Sequence, residues 1–493
     1  MSTRVETYRS PSLAAPLSGW RRMFADWITV GGATAVCHAL GAATSLLLRM
    51  LLSPAQMGIW QAVKLFLGYG NYANLGISKG AVREFNVATG AGDTEAARRG
   101  LNLAFTVNTI SSLLYATVLV VAGVSLALSG GSDWANAWAV GLAVVGCLAV
   151  LGRYVTFHVT ILRADQRFAV TSKLSIIEAL LTLAVCSLAT WLWGLPGLYV
   201  GTLVVMLASM VFVRRNAVAT FRWAWDGVEI RRLIAIGGPI LLAGAVSSLF
   251  RSLDKLMILG YMSDCEFQLG CYSLGLLVTG QLYGLGNMLA MVTGPRYGQM
   301  YGRLDDRREV ARLAARCSEL QTAALILPAA LALLVGPPVL GWLLPDYQSG
   351  LAPLVWLIPG VLMLVLALPC SQYMVAVGRQ RQALLAVLIA TAIGAVGNHV
   401  ALSGGWGLEG VAAATAVGYA SYFVLAAAMS FCIDLDIAGR ARYVVMHTLA
   451  LGPTLATALL LDGSTSLTVA VCSVVVVWLS TMLIGWRFGG WQA

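Results

Sequence analysis

Residues 28–33 read Ile-Thr-Val-Gly-Gly-Ala, and residues 234–239 read Ile-Ala-Ile-Gly-Gly-Pro. Each stretch opens an apolar run of roughly 20 residues or more, long enough to cross a bilayer as a helix. Further matches follow in the same order. Gly58-Ile59-Trp60 opens the second run and Gly270-Cys271-Tyr272 the eighth. The connection with Asp93, Arg98 and Arg99 echoes the one with Asp306, Arg307 and Arg312. Residues 163–167, RADQR, match residues 377–381, VGRQR, and Gly194 and Gly197 match Gly407 and Gly410. From the second run onward the offset stays at about 213 residues. Each copy holds six runs. An even number returns the chain to its starting side, so the copies share one orientation and an axis along the membrane normal relates them.

Around this repeat the chain is 59% hydrophobic and only 11% charged, which excludes an ordinary soluble globule. The pattern predicts an all-α polytopic membrane protein of about 14 transmembrane helices, in two pseudo-symmetric six-helix lobes plus a C-terminal two-helix addition. We divide it into an N-terminal tail (1–26), an N-lobe (27–215, helices 1–6), a linker (216–233), a C-lobe (234–432, helices 7–12) and helices 13 and 14 (433–493). The first run is too long for a signal-peptide core and should remain as a helix.

The bases fix the expected orientation. The tail carries Arg4, Arg9, Arg21 and Arg22, and the even-numbered connections carry bases such as Lys79, Arg83, Arg214, Arg215, Arg231, Arg232 and Arg440. The odd-numbered connections, near 53–57, 129–133, 194–196, 261–266, 336–350, 403–407 and 462–465, contain no Lys or Arg. The positive-inside rule then places both termini and the linker in the cytoplasm of a cell with this chain in its inner or plasma membrane. It also accounts for the net charge of +10 without nucleic acid as a partner. Nine Cys are scattered without a CxxC pair, so no metal cluster is expected. Cys265 and Cys271 fall near the base-free side, where a pairing is open, although a buried thiol packing as a small apolar group is the default.

Two segments carry a family resemblance. The stretch Arg49-Met50-Leu51-Leu52-Ser53-Pro54-Ala55-Gln56-Met57-Gly58-Ile59-Trp60, followed by Asn74-Leu75-Gly76-Ile77, resembles the opening of the Wzx-type polysaccharide flippases. The run Asp254-Lys255-Leu256-Met257-Ile258-Leu259-Gly260, with Gly270 and Tyr272, resembles their seventh-to-eighth-helix segment. The resemblance implies the multidrug/oligosaccharidyl-lipid/polysaccharide exporter superfamily. It further implies two six-helix lobes about a central cavity, alternating access and a lipid-diphosphate-linked sugar as cargo, with polysaccharide assembly proteins and membrane lipids as surroundings.

The residues give an independent reading. Five bases lie inside apolar runs: Arg49, Lys64, Arg153, Arg251 and Lys255. A charge facing lipid at the middle of a span costs roughly 2.5–3.5 kcal/mol or more. Helical spacing instead gathers polar groups on single faces: Thr34, His38, Ser45 and Arg49 on the first helix, Gln61, Lys64, Asn71 and Ser78 on the second, and Ser247, Arg251, Asp254 and Lys255 on the seventh. The eighth carries Gln281 and Asn287. We expect helices one and seven to face each other across a basic cavity suited to phosphate. Ion pairs Arg251–Asp254 and Arg153–Glu178 are the structural alternative for those residues. Asp254, Glu178 and His38 are candidates for charge pairing or for coupling to protons or sodium, between which the sequence does not choose. No cofactor is expected.

Two other functions compete. A multidrug exporter of the same superfamily should favour acids facing cationic drugs. A membrane polymerase, ligase or lipid glycosyltransferase should carry a large polar catalytic loop. The longest base-free connection, about 336–350, has one acid, Asp346, and no His, and no Ser-His-Asp, HExxH or nucleotide-binding glycine motif stands in a sensible context. The chain is therefore expected not to be an enzyme.

Overall fold

A computed structural model describes residues 19–90, 93–128, 133–164, 167–217 and 221–460. Thirteen of the expected spans fall on these residues. The fourteenth, at 466–486, lies outside them, as does the tail before residue 19. The protein is all-helical over the described residues. Nine stretches there are long and apolar enough to cross a membrane by length and composition.

The first span is α1 (Gly19–Leu51). A two-residue connection follows, and α2 (Pro54–Tyr69) begins on a capping box. The Ser53 hydroxyl accepts from the Gln56 amide at 3.4 Å, and the Gln56 side chain accepts from the Ser53 amide at 3.2 Å. Proline at the first helical position has no amide to leave unsatisfied. The second span then breaks. A 3-10 turn, Gly70–Tyr72, is followed by Leu75 and Gly76 in the left-handed region, at φ 54° and 88°, before α3 (Ile77–Gly90) resumes. Asn74 makes the break stable. Its Oδ1 accepts from the Gly76 amide at 3.1 Å, while its Nδ2 donates to Ser78 Oγ (3.0 Å) and Asn108 Oδ1 (2.9 Å).

Two long helices, α4 (Thr94–Leu128) and α5 (Asp133–Ala164), form the third and fourth spans. The fifth is α6 (Phe168–Leu181), continued by a π-turn over Thr182–Cys186 into α7 (Ser187–Arg215). Within α7, Gly194 takes φ 61° and ψ −138°, reversing the chain into the sixth span. A Cβ on Gly197 would lie 1.9 Å from the Ala189 carbonyl oxygen, so only glycine permits a turn this tight.

The C-lobe opens with α8 (Gly227–Tyr261), capped by Asp226, and α9 (Cys265–Leu304), which runs 40 residues without a break. It continues through α10 (Arg307–Leu343), α11 (Leu351–Leu366), α12 (Leu368–Ala376), α13 (Gln380–Ser403), α14 (Gly407–Met429) and the short α15 (Phe431–Asp434). The thirteenth span, α16 (Ile437–Leu460), lies on α10 through buried polar contacts. His447 Nε2 sits 3.0 Å from Thr322 Oγ1, and Arg442 donates to Glu319 at 2.7 Å. At the same end the Arg379 guanidinium grips both oxygens of Asp434, at 2.7 and 3.1 Å.

The lobes meet along three seams. At the base-free end α2 packs on α9, glycine to backbone. A Cβ on Gly58 would lie 1.7 Å from the Glu266 carbonyl oxygen, and one on Gly270 would lie 1.7 Å from that of Pro54. At the basic end α3 packs on α8. A Cβ on Gly237 would meet the Gly76 oxygen at 2.0 Å, and one on Gly80 the Leu233 oxygen at 2.1 Å. Along the third seam α1 faces α9, touching where His38 lies against Gly284. On either side of that contact glycines of the two helices have open space within 4 Å of where a Cβ would point: Gly41 and Gly280 towards the base-free end, Gly32, Gly298 and Gly302 towards the basic end.

These seams correct one expectation. Helix one does not face helix seven; it faces helix eight, and helix seven faces helix two. An axis along the membrane normal exchanges helix one with seven and two with eight. Each helix can therefore stand opposite the other member of the neighbouring pair, and only two and eight reach the axis together.

Candidate functional site

Beneath the Gly58–Gly270 seam lies a cavity of about 440 Å³ between the lobes. Its polar lining comes from Thr44, Ser45 and Arg49 of α1, Gln61 and Lys64 of α2, Thr182 and Thr202 of the fifth and sixth spans, and Gln281 of α9. Among the described residues no Asp or Glu contributes to the lining. The spacings of Ser45 with Arg49 and Gln61 with Lys64 put each pair on one helical face.

Arg49 forms the roof. It is 3% exposed. One guanidinium nitrogen donates to the Ser45 carbonyl at 2.8 Å and also to the Ser45 hydroxyl. The other donates across the lobe boundary to the Ser273 carbonyl at 2.6 Å and hydroxyl at 3.1 Å. Its Nε is buried without a partner. Lys64 is different. It is exposed within the cavity, with its ammonium 5.7 Å from the centre of the Trp60 ring, and among the described residues no carboxylate pairs with it. Arg49 thus clamps the lobes while Lys64 presents an uncompensated charge to the cavity.

The remaining candidates lie elsewhere. Arg251 and Lys255 are not in the lining, and the Arg251–Asp254 pair does not form. Instead Asp254, 2% exposed, takes Lys255 at 2.9 Å and accepts from the Tyr272 hydroxyl at 2.7 Å. Helical spacing allowed the Arg251 pairing; Tyr272 fixes the carboxylate so that the adjacent ammonium reaches it first. Arg251 stacks over Tyr283, 5.6 Å from the ring centre. The Arg153–Glu178 pair is likewise absent among the described residues. Arg153 donates to the Gly70 carbonyl at 2.6 Å, on the broken turn of the second span, and Glu178 faces Ser209 of α7. Ser78 bonds Asn108 inside the N-lobe, because the break after Gly70 turns it away from the Lys64 face. Cys265 and Cys271 are free thiols.

Two roof contacts were not anticipated. Trp138 donates to Glu266 at 2.8 Å, and the buried Tyr347 donates to the Leu52 carbonyl at 2.9 Å, both across the lobe boundary. Glu266 could have been noticed as an acid four residues before Gly270 in the repeat; nothing local marks Tyr347.

No curated protein matches the chain in sequence. Solved structures match over most of its length. The lipid II flippase MurJ in an inward closed conformation covers 93% of this chain and 99% of its own, with TM-score 0.71 and 13% identity. The Vibrio cholerae MATE transporter VcmN, as a point mutant, covers 84% of this chain and 96% of its own, with TM-score 0.61 and 18% identity. A Pyrococcus furiosus transporter of the MOP superfamily, whose binding pocket is described as having reverse polarity, covers 85% of this chain and 96% of its own, with TM-score 0.58 and 16% identity. At these identities the likeness is one of fold. With nine helices of membrane-crossing length and composition among the described residues, the chain is a multi-pass membrane protein with the fold of these transporters, and by a match over residues 47–344 it belongs to the polysaccharide biosynthesis protein family.

Proposed function

We propose that this protein is a flippase that moves a polyprenyl-diphosphate-linked oligosaccharide from the cytoplasmic to the outer leaflet by alternating access, for surface polysaccharide assembly. One observation carries the reading: the cavity between the lobes is lined by bases and no carboxylate. A diphosphate brings negative charge that Lys64 can meet as a point charge, while the amides of Gln61 and Gln281 offer hydrogen bonds to sugar hydroxyls, and Thr44, Thr182 and Thr202, which donate to their own helices, keep only acceptor lone pairs for them. The basic connections put that end and both termini in the cytoplasm of a cell's inner membrane. The closed α2–α9 seam then makes this the state that loads from inside, and the open space beside Gly32, Gly298 and Gly302 is where the acyl chain would remain in lipid while the headgroup enters. Rocking of the lobes about the axis opens the other end. For ion coupling, by protons or sodium, Glu178 is the better candidate than Asp254, which Lys255 and Tyr272 already hold, and than His38, which packs against Gly284. A cationic drug would meet the wrong sign of charge at Lys64.

The test is transport of a fluorescent lipid-diphosphate sugar in proteoliposomes, paired with complementation of a flippase-deficient strain scored by surface polysaccharide. Lys64→Ala should slow flipping about ten-fold, the loss of roughly one charge-assisted contact. Lys64→Glu should be slower still, and Arg251→Ala milder, since Arg251 lies off the lining. Normal flipping by well-expressed Lys64→Glu, or efflux of cationic dyes in its place, would overturn the proposal.

A further inference from the structure

Arg153 lines a second cavity, of about 140 Å³, that shares no residue with the central one. It lies between α4, α5 and α7, in the half of these spans nearer their basic ends. The walls are mostly apolar and aromatic, with Phe105, Tyr154, Phe157 and Met210 among them, and Thr109 and Ser112 turn their hydroxyls back to their own helix. Among the described residues no carboxylate pairs with Arg153. Its one hydrogen bond to these residues goes to the Gly70 carbonyl, and its Nε is buried without a partner among them. Ala164, where α5 ends, is eleven residues away, about 16 Å along the helix, too far for the side chain to reach water past that end. An unpaired guanidinium at this depth is expensive unless something neutralises it.

We infer that this cavity is a binding site for a phosphate group carried on an apolar body, separate from the transport cavity. The guanidinium matches a phosphate through its fork, and the aromatic walls match acyl chain. A phospholipid of the surrounding bilayer combines both features. Because Arg153 also holds Gly70 at the break in the second span, occupancy would bear on the segment that carries Lys64.

The experiment is native mass spectrometry of the full chain, titrated with phosphatidylglycerol, with diacylglycerol of the same chains, and with phosphatidylglycerol in the presence of inorganic phosphate. Wild type should retain phosphatidylglycerol well above diacylglycerol. Arg153→Gln should lower retention about ten-fold, and Arg153→Lys should recover part of it. Thr109→Phe, which fills the cavity but leaves the Arg153–Gly70 bond, should lower retention equally without altering the elution profile of the folded protein. The preference should persist in Lys64→Ala, which separates this site from the transport cavity. Competition by millimolar inorganic phosphate would keep the phosphate site but assign it a soluble ligand. Equal retention of diacylglycerol, unchanged retention in both Arg153→Gln and Thr109→Phe, or loss in Lys64→Ala would overturn the inference.

Discussion

At their base-free ends the two lobes obey the two-fold relation of their sequences; at their basic ends they do not. Gly58 and Gly270 make the same contact from opposite sides. By contrast, the second span breaks at Gly70–Gly76, and its counterpart α9 passes the corresponding point as an unbroken helix. The break swings α3 onto α8, closing that seam through Gly76, Gly80 and Gly237, while Gly298 and Gly302 on the straight α9 keep open space beside them. One repeated design therefore yields a symmetric seam at one end and, at the other, a seam that only the broken helix makes. The lesson is that a duplicated bundle acquires a sided opening through a difference in one helix, and needs no difference in the number or order of helices.

The largest expected effect breaks the symmetric end. Gly270→Val and Gly58→Val each place a side chain where backbone stands 1.7 Å from a Cβ, so the seam cannot close. Either variant should lose flipping by two orders of magnitude or so, which corresponds to about 2.7 kcal/mol of bias against the closed state. Thr44→Cys in a cysteine-free background should then label from the base-free side, and absence of labelling would refute the gate. Next comes the asymmetric end: Gly237→Ala should impair transport strongly, whereas Gly32→Ala, with open space around it, should leave flipping and expression within error. Equal damage at both positions would mean that the α1–α9 seam closes as tightly as the other. A smaller loss follows for Arg49→Lys, whose ammonium cannot span Ser45 and Ser273 together; thermal unfolding should show about 2 kcal/mol less stability. Smallest is Asn74→Ala, which removes the acceptor for the Gly76 amide and should cost about 1 kcal/mol while flipping survives; unaltered stability would show that Leu75 and Gly76 hold the break unaided.

The sequence exposed this contrast unevenly. Helix length and hydropathy made the spans legible because lipid forces every backbone group into intrahelical bonds. The Gly58 and Gly270 matches were visible as a repeat, but a repeat does not say which backbone a glycine touches. The turn at Gly194-Leu195-Pro196-Gly197 was legible because Gly and Pro punctuate it locally. The break at Asn74-Leu75-Gly76 was not, since Asn71 and Ser78 also read as the continuation of the Gln61–Lys64 polar face of one helix, and its stabilising partner, Asn108, is on another helix. At the site, period and charge picked out Lys64 and Arg49 as bases inside the spans. They could not reveal that Tyr272 fixes Asp254 for Lys255, or that Arg153 belongs to a different cavity, because those outcomes depend on residues far along the chain.

The reciprocity at the sealed end has a consequence for ancestry. Gly58 lies on the oxygen of residue 266, and Gly270 lies on that of residue 54. Each residue of one pair sits 212 positions from its equivalent in the other. That is the geometry of an isologous contact between identical subunits, in which residue i meets j and j meets i. A six-span ancestor with this glycine would have closed against a second copy of itself before any duplication joined the two. Every substitution at that position would have struck both sides of the contact at once. In a fused chain each copy can change alone, and the broken second span beside the straight eighth is a difference of that kind.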